Sequence, residues 1–588
     1  MKAKSVRVAA VQFATTCDVE QNLRTCLRMI DATAAEKPQL MVLPEFCNHL
    51  SWYDNAEHAW QVALSVDDDF LNAIAGQAKK HNCYIVINVS LRREYPNISV
   101  TSLLFSPDGL LLTEHDKQTL MGHENDFFVR AEMSSPVVDS ALGRLGIFPC
   151  RDGVTFETPR CLALRGAQIF CDSLNSFALD EASLHVPARA PENKVFLVAA
   201  NKVGPLIPEQ QLEAVSAITH IPVAFLMGAG ESQIVAPDGT VLARAPRQGE
   251  AYVVADIEVT AANNKSRPDG TDIVRSRRPD IYQAIVQPPS AQQLAPDATG
   301  QAVGYVDTPA PEAIGAALVR PATGLEGQAA VDDVLAKIEA LPEQTRLVVL
   351  PTFFWLTDPH QVEPQTAANF SAAVQQQLQA EANNHDLYIA YSAVEALADG
   401  FQHIAVLLGP QSVHPEGCLL RQPQLHSAAR YPWHRPADDL VTLQTPLGKV
   451  ALVCGDDVIY PEVFKLAALQ GVHLVLAPFD CQESWENQYG LLSRAAENRI
   501  CVVASSRDNA VGGGLIASLE REFTIMQPWQ QRQFDGNINY PILTRQQADV
   551  VTATLYPAAA GNKLMSANTD LLLQRPWHLS QEIVKQVI

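Results

Sequence analysis

No stretch of this chain approaches the about eighteen uninterrupted apolar residues that a membrane-spanning helix needs. The first apolar stretch contains Arg7, which argues against a secretory leader and points to a cytoplasmic protein. Positive charge is scarce: 43 Lys and Arg stand against 65 Asp and Glu, for a formal charge of -22. A nucleic-acid backbone and an anionic membrane surface would both be repelled, so neither is expected as a partner. The eleven cysteines are odd in number, form no CxxC pair and lie mostly in apolar surroundings, as at Cys26, Cys171 and Cys501. That pattern excludes a disulfide framework and suits a reducing compartment. The fifteen histidines, His115 and His123 among them, show no metal-site spacing, and the glycines of Val511-Gly-Gly-Gly-Leu515 lack the Lys-Ser/Thr of a phosphate loop. No metal and no cofactor are therefore expected, and a small molecule is the expected partner.

What the chain does have is an internal repeat. Residues 142 to 201 and 447 to 506 run in parallel at a constant offset of 305. Asp152 and Glu157 recur as Asp457 and Glu462, Gly166 as Gly471, and Arg189-Ala-Pro-Glu192-Asn193 as Arg494-Ala-Ala-Glu497-Asn498. An earlier pair of turns, Pro107-Asp-Gly109 and Pro415-Glu-Gly417, matches at an offset of 308. A period this long in a chain of 588 residues predicts two domains, each large enough for its own core. The expected division is 1–284, a connector rich in Pro, Gln and Ala at 285–303, and 304–588. Within each half, short apolar runs such as Val6 to Phe13, Leu40 to Leu43 and Val195 to Ala200 alternate with amphipathic stretches at 70–80 and 157–165. This alternation predicts a layered α/β fold.

Three reactive side chains of the first half sit where chemistry is usually presented: Glu45 ends an apolar strand in Leu43-Pro-Glu-Phe46, Lys117 follows the 107–109 turn in His115-Asp-Lys-Gln118, and Cys150 ends another strand in Pro149-Cys-Arg-Asp152. Strand ends of α/β sheets are where ligands gather. Singly, each has an ordinary explanation as core filler, cap or solvated loop. The second half acts as an internal control: under the offsets above Glu45 meets Thr352, Lys117 meets Leu425 and Cys150 meets Gly455, while the framework around them persists. Joint loss predicts that the three form one catalytic unit, and that the second half is an inactive copy. Cys454 beside Asp456 and Asp457 is not expected to replace the lost nucleophile, because neighbouring carboxylates disfavour a thiolate.

These motifs resemble the nitrilase superfamily of carbon-nitrogen hydrolases, whose pattern is a Glu after a strand, a Lys in a loop, and a Cys followed two residues later by Asp and seven later by Glu. Glu124-Asn-Asp-Phe-Phe128, the Arg-Ala-x-Glu-Asn segment, Asn201-Lys-Val-Gly204 and Arg277-Arg-Pro-Asp-Ile-Tyr282 add to the likeness. The resemblance implies a four-layer α-β-β-α sandwich in two tandem copies, expected to form an intramolecular pseudo-dimer and open to further homo-oligomerisation. It also implies amide or carbamoyl hydrolysis through a Cys150 thioester, with Glu45 as general base and with Lys117 and the backbone N–H of Arg151 holding the oxyanion. Glu124 would orient Lys117 or the substrate. The segment 175–185 is expected to line the pocket. Cys150 is followed by Arg151-Asp152 rather than the Trp-Glu of nitrile-cleaving relatives, which favours amides. Nitrile hydrolysis, acyl transfer to an amine, and a non-catalytic binding role on the same fold are the alternatives.

Overall fold

The computed structural model describes residues 5–296, 302–305 and 307–586. The chain folds into two compact units, the first built from residues 1–265, 522–539 and 564–583, the second from 266–521, 540–563 and 584–588. This division departs from the linear one expected at 285–303. Residues 266–285 belong with the second unit, where Arg277 donates to Glu462 at 3.1 Å and Tyr282 hydrogen-bonds His426. Residues 564–583, which follow the last long strand of the second repeat, belong with the first unit. A reading along the chain assigns each segment to the repeat that precedes it; packing assigned these to the other repeat. Of the expected connector, residues 297–301 lie outside the described residues, and Leu294–Pro296 pairs antiparallel with Ala302–Tyr305.

The first unit contains two six-stranded sheets. One has the order β12-β1-β2-β3-β4-β5, with β1 Ser5–Gln12, β2 Leu40–Val42, β3 Tyr84–Arg92, β4 Ile98–Phe105, β5 Leu111–Asp116 and β12 Ala251–Glu258. The other has the order β11-β10-β9-β8-β7-β6, with β6 Val137–Ser140, β7 Gly143–Pro149, β8 Ile169–Ser173, β9 Phe196–Ala200, β10 Gln233–Val235 and β11 Val241–Arg244. The period of two along β1 makes the layering explicit. Val6, Val8 and Ala10 join Leu145, Ile147, Ile169 and Val198 in a core between the sheets, whereas Ala9 and Val11 face the helices.

Those helices are Val19–Ala34 and Asp69–His81. The first is capped by the Asp18 carboxylate on the Gln21 amide and buries Cys26, Met29, Ile30 and Thr33; the second is capped by Asp68 and stops at Asn82 in the left-handed region. On the far side, Leu162 and Ala163 of helix Glu157–Leu164 and Val186 and Ala190 pack on the second sheet. The order is helix, sheet, sheet, helix, as expected.

The second unit repeats it with two more six-stranded sheets. Ile314, Ala316 and Leu318 lie between its sheets and Ala317 and Val319 face its helices, the same alternation as in β1. The two repeats are thus tandem copies of one α/β architecture.

Candidate active site

Three strand ends of the first unit converge. Glu45 follows β2, where its amide donates to the Leu174 carbonyl at 3.1 Å and Phe46, at φ 54, donates to Asn88 Oδ1 at 3.0 Å. Lys117 extends β5 by one residue, its amide donating to the Val100 carbonyl at 2.8 Å. Cys150 follows β7 with φ 45 and ψ -103, a backbone that L residues rarely adopt and that costs about 1–3 kcal/mol. Two carboxylates hold this elbow in place. Asp172 Oδ1 accepts the Cys150 amide at 2.9 Å. Asp152 accepts the amides of Gln118 and Thr119 at 2.9 and 2.8 Å, which ties the Lys117 loop to the Cys150 turn. Arg189 closes the arrangement from below: its guanidinium donates to the carbonyls of Gly153 and Val154 at 2.8 and 2.9 Å and pairs with Glu192 at 2.6 Å. The Arg-Ala-x-Glu-Asn motif therefore braces the helical turn that follows Cys150.

The expected side chains are brought together. Lys117 Nζ donates to Glu45 Oε1 at 2.7 Å and to Glu124 Oε1 at 2.9 Å, all three groups buried. Glu124 Oε2 accepts the Met121 amide at 2.8 Å. Glu45 Oε2 has no partner among the described residues. Cys150, Arg151 and Glu124 line one cavity of about 300 Å³, together with Asn175, Ser176 and Glu181 from the 175–185 segment.

The electrostatics are set by burial and by this chain of charges. Burial raises Glu45 to about 7; Lys117 opposes the rise and Glu124 adds to it. Burial works against the Lys117 ammonium, but Glu124 and Glu45 outweigh it and hold its pKa well above the ordinary value. Burial and the Glu45 charge push the Cys150 thiol up, so the resting nucleophile is a thiol. Glu181, buried beside Asp180, is raised to about 8.

Lys202 was missed from sequence beyond its place in the Asn201-Lys-Val-Gly204 match. It is fully buried, its Nζ has no hydrogen-bond partner among the described residues, and it stands 5.8 Å from the centre of the Phe46 ring. Burial lowers it to about 8, while Cys47, Glu45, Cys26 and Cys150 pull it upward, so its charge faces the same cluster. A lysine two residues beyond the end of β9 was the available signal. His115 contacts Ser135 and Asp152, and His123 Nε2 hydrogen-bonds the Ser51 carbonyl at 2.8 Å. Among the described residues no group of three His, Cys, Asp or Glu could hold a metal ion.

The second unit keeps the frame and not the three reactive side chains. Asp457 accepts the amides of Leu425 and His426 at 2.6 and 3.1 Å, as Asp152 does for Gln118 and Thr119. The position of Lys117 is therefore taken by Gln424, whose amide donates to the His403 carbonyl, and not by Leu425 as the turn offset suggested. The strands that follow the two turns align one residue differently from the turns themselves. Thr352 does occupy the place of Glu45, its amide bonding Phe479 as that of Glu45 bonds Leu174. Gly455 retains the elbow at φ 53 without the strain that a cysteine bears. A Cβ there would stand 2.5 Å from His403 Cε1 and 2.6 Å from Gln424 Oε1. Beyond it, Asp456 stands where Arg151 does and is clasped by Arg430 and Arg267, which also reach Asp480 and Glu486. Burial, Asp457 and Asp456 keep the Cys454 thiol protonated.

A strained cysteine thus stands beside a buried carboxylate–ammonium–carboxylate chain on a four-layer α/β sandwich. Comparison with known proteins agrees with this arrangement: residues 7–264 match the family described as carbon-nitrogen hydrolase. It is 26% identical over 279 residues to a nitrilase of Pyrococcus abyssi, covering 47% of this chain and 99% of the relative. It is 25% identical over 301 residues to an N-carbamoylputrescine amidase of Solanum lycopersicum, covering 48% of this chain and 96% of the relative. A solved amidase from Nesterenkonia sp. aligns at 23% identity with a TM-score of 0.37, over 45% of this chain and 94% of that one.

Proposed function

We propose that the first unit hydrolyses the carbon–nitrogen bond of a small amide or carbamoyl compound through a thioester on Cys150. The observation that carries this reading is the pairing of Lys117 with both Glu45 and Glu124, which leaves Glu45 Oε2 unpartnered in a site shared with Cys150.

Glu45, with a pKa of about 7, is matched to proton transfer at neutral pH. Its carboxylate takes the Cys150 proton as Sγ attacks the carbonyl carbon. An ammonium has three N–H donors. Two of those on Lys117 are engaged by carboxylates, and the third, with the amide N–H of Arg151 at the start of its helical turn, receives the developing oxyanion. One such donor is worth roughly 100- to 1000-fold in rate. Glu45 then returns its proton to the leaving nitrogen, ammonia or an amine departs, and the thioester remains. Water, deprotonated by Glu45, attacks the thioester carbon; the acid is released and Cys150 regains its proton.

Intact-mass measurement during turnover of a panel of amides and N-carbamoyl compounds, with ammonia assayed in parallel, tests this. An acyl adduct on Cys150, absent from Cys150→Ala, is the expected result. Unchanged turnover by Cys150→Ala would refute the assignment.

A further inference from the structure

The cavity at Cys150 is not enclosed by the first repeat alone. Ile525, Met526, Ile538 and Met565 line it, and all four come from 522–539 and 564–583, the stretches of the second repeat's sequence that belong to the first unit. Their placement is anchored by hydrogen bonds. The Gly122 amide donates to Thr569 Oγ1 at 2.9 Å, and Thr569 Oγ1 reaches the Leu120 carbonyl at 3.2 Å, on the loop between Lys117 and Glu124. The Leu179 amide donates to the Gly536 carbonyl at 2.8 Å, and the Asn539 amide to Asp180 at 2.6 Å, next to Glu181. Ile525 and Met565 are joined by a backbone bond of 2.9 Å. Gly536 has φ 97, and a Cβ there would come within 2.6 Å of Leu179 Cδ1 and 2.7 Å of Phe225 Cε1, so the close approach depends on glycine. Ile525, Ile538 and Met565 belong to one apolar cluster with Val154, Leu226 and Phe177.

We infer that Ile525, Ile538 and Met565, with Met526 at the rim, are the specificity-determining wall for the acyl group of the substrate, and that this group is an uncharged aliphatic chain. The inference rests on the amide-hydrolase reading of Cys150. Most polar side chains of the cavity, among them Glu124, Arg151, Asn175 and Glu181, come from the first repeat together with Cys150, and of the six residues supplied by the second repeat five are apolar, Ser566 being the exception. A volume of about 300 Å³ holds roughly ten waters, room for an amide of about eight to ten non-hydrogen atoms. On this view the disarmed repeat persists because part of its sequence shapes the working site.

The experiment is a series of straight-chain primary amides from acetamide to hexanamide, with glutaramate as the acidic counterpart, on the full chain. The wild type is expected to gain about three- to fourfold in kcat/KM per methylene while the wall is being filled. Met565→Ala and Ile525→Ala are expected to lose at least about tenfold more on hexanamide than on acetamide, mostly through KM. Met526→Ala, at an exposed position, provides a variant that does not threaten the fold and should flatten the same slope to a smaller extent. Equal slopes in wild type and all three variants, or a preference for glutaramate over the neutral amides, would overturn the inference. The Cys150 acyl adduct separates the two levels. No adduct with any amide refutes the hydrolase reading and this proposal with it, whereas adducts with unchanged slopes refute the wall alone.

Discussion

Replacing Glu124 by Gln tests the electrostatic logic of the site in a single measurement. Glu45 and Glu124 each place an oxygen on the same ammonium nitrogen, at 2.7 and 2.9 Å, so those two oxygens are within about 6 Å of each other. Two like charges at that separation repel by roughly 3 kcal/mol at an effective dielectric of about 20, which corresponds to about two pKa units. Part of the rise of Glu45 to about 7 therefore comes from Glu124, in addition to burial. The proposed reaction requires ionised Glu45, so on that proposal activity is present above its pKa and is lost as pH falls through it. In Glu124→Gln the repulsion is gone, Glu45 titrates lower, and the acidic limb of kcat/KM moves from about 7 toward lower pH by up to about two units. The limb belongs to the coupled group and is read as an apparent value. The plateau rate should fall as well, because glutamine cannot match the carboxylate that steadies the Lys117 ammonium. Initial rates of ammonia release across the acidic and neutral range, fitted to a single ionisation, supply the numbers. A limb that stays near its wild-type position, or moves to higher pH, would show that Glu124 does not act on Glu45 through charge.

Lys202 makes the opposite prediction. Its charge lowers the Glu45 pKa, so Lys202→Met should move the acidic limb upward; a downward move would separate Lys202 from the site. Restoring a cysteine to the second unit should not restore chemistry. Gly455→Cys in a Cys150→Ala background is expected to remain inactive and to lose about 1–3 kcal/mol of stability from backbone strain, with a further penalty from contact with His403 and Gln424, read as a lower melting temperature. Ammonia release from that double variant would contradict the account of the second site as dismantled.

Much of this protein is legible in one dimension because its chemistry is written in short contiguous words. A strand end followed by Pro-Glu, a Lys in the loop after a Pro-Asp-Gly turn, and Cys-Arg-Asp after another strand are local patterns, and the alternation along β1 follows from a backbone period of two. The repeat sharpened the reading, since Asp152 and Asp457 perform the same double clamp in the two copies and only the reactive groups change. The error over Lys117 had a local cause as well. Turns and strands of the two copies align at offsets one residue apart, and only hydrogen-bond register identifies Gln424 as its counterpart.

The sequence by itself determined the α/β layering and the duplication and singled out Glu45, Lys117 and Cys150 as candidates, because each depends on residues close together in the chain. Tertiary structure alone decided how those groups are arranged. It paired one ammonium with two carboxylates, lifted Glu45 to about 7 by burial, and placed Lys202 beside the same cluster. It also brought Met565 to a cavity that Cys150 lines, more than four hundred positions away in the chain. No periodicity or spacing encodes such a pairing. It arises when apolar side chains far apart in sequence leave water together.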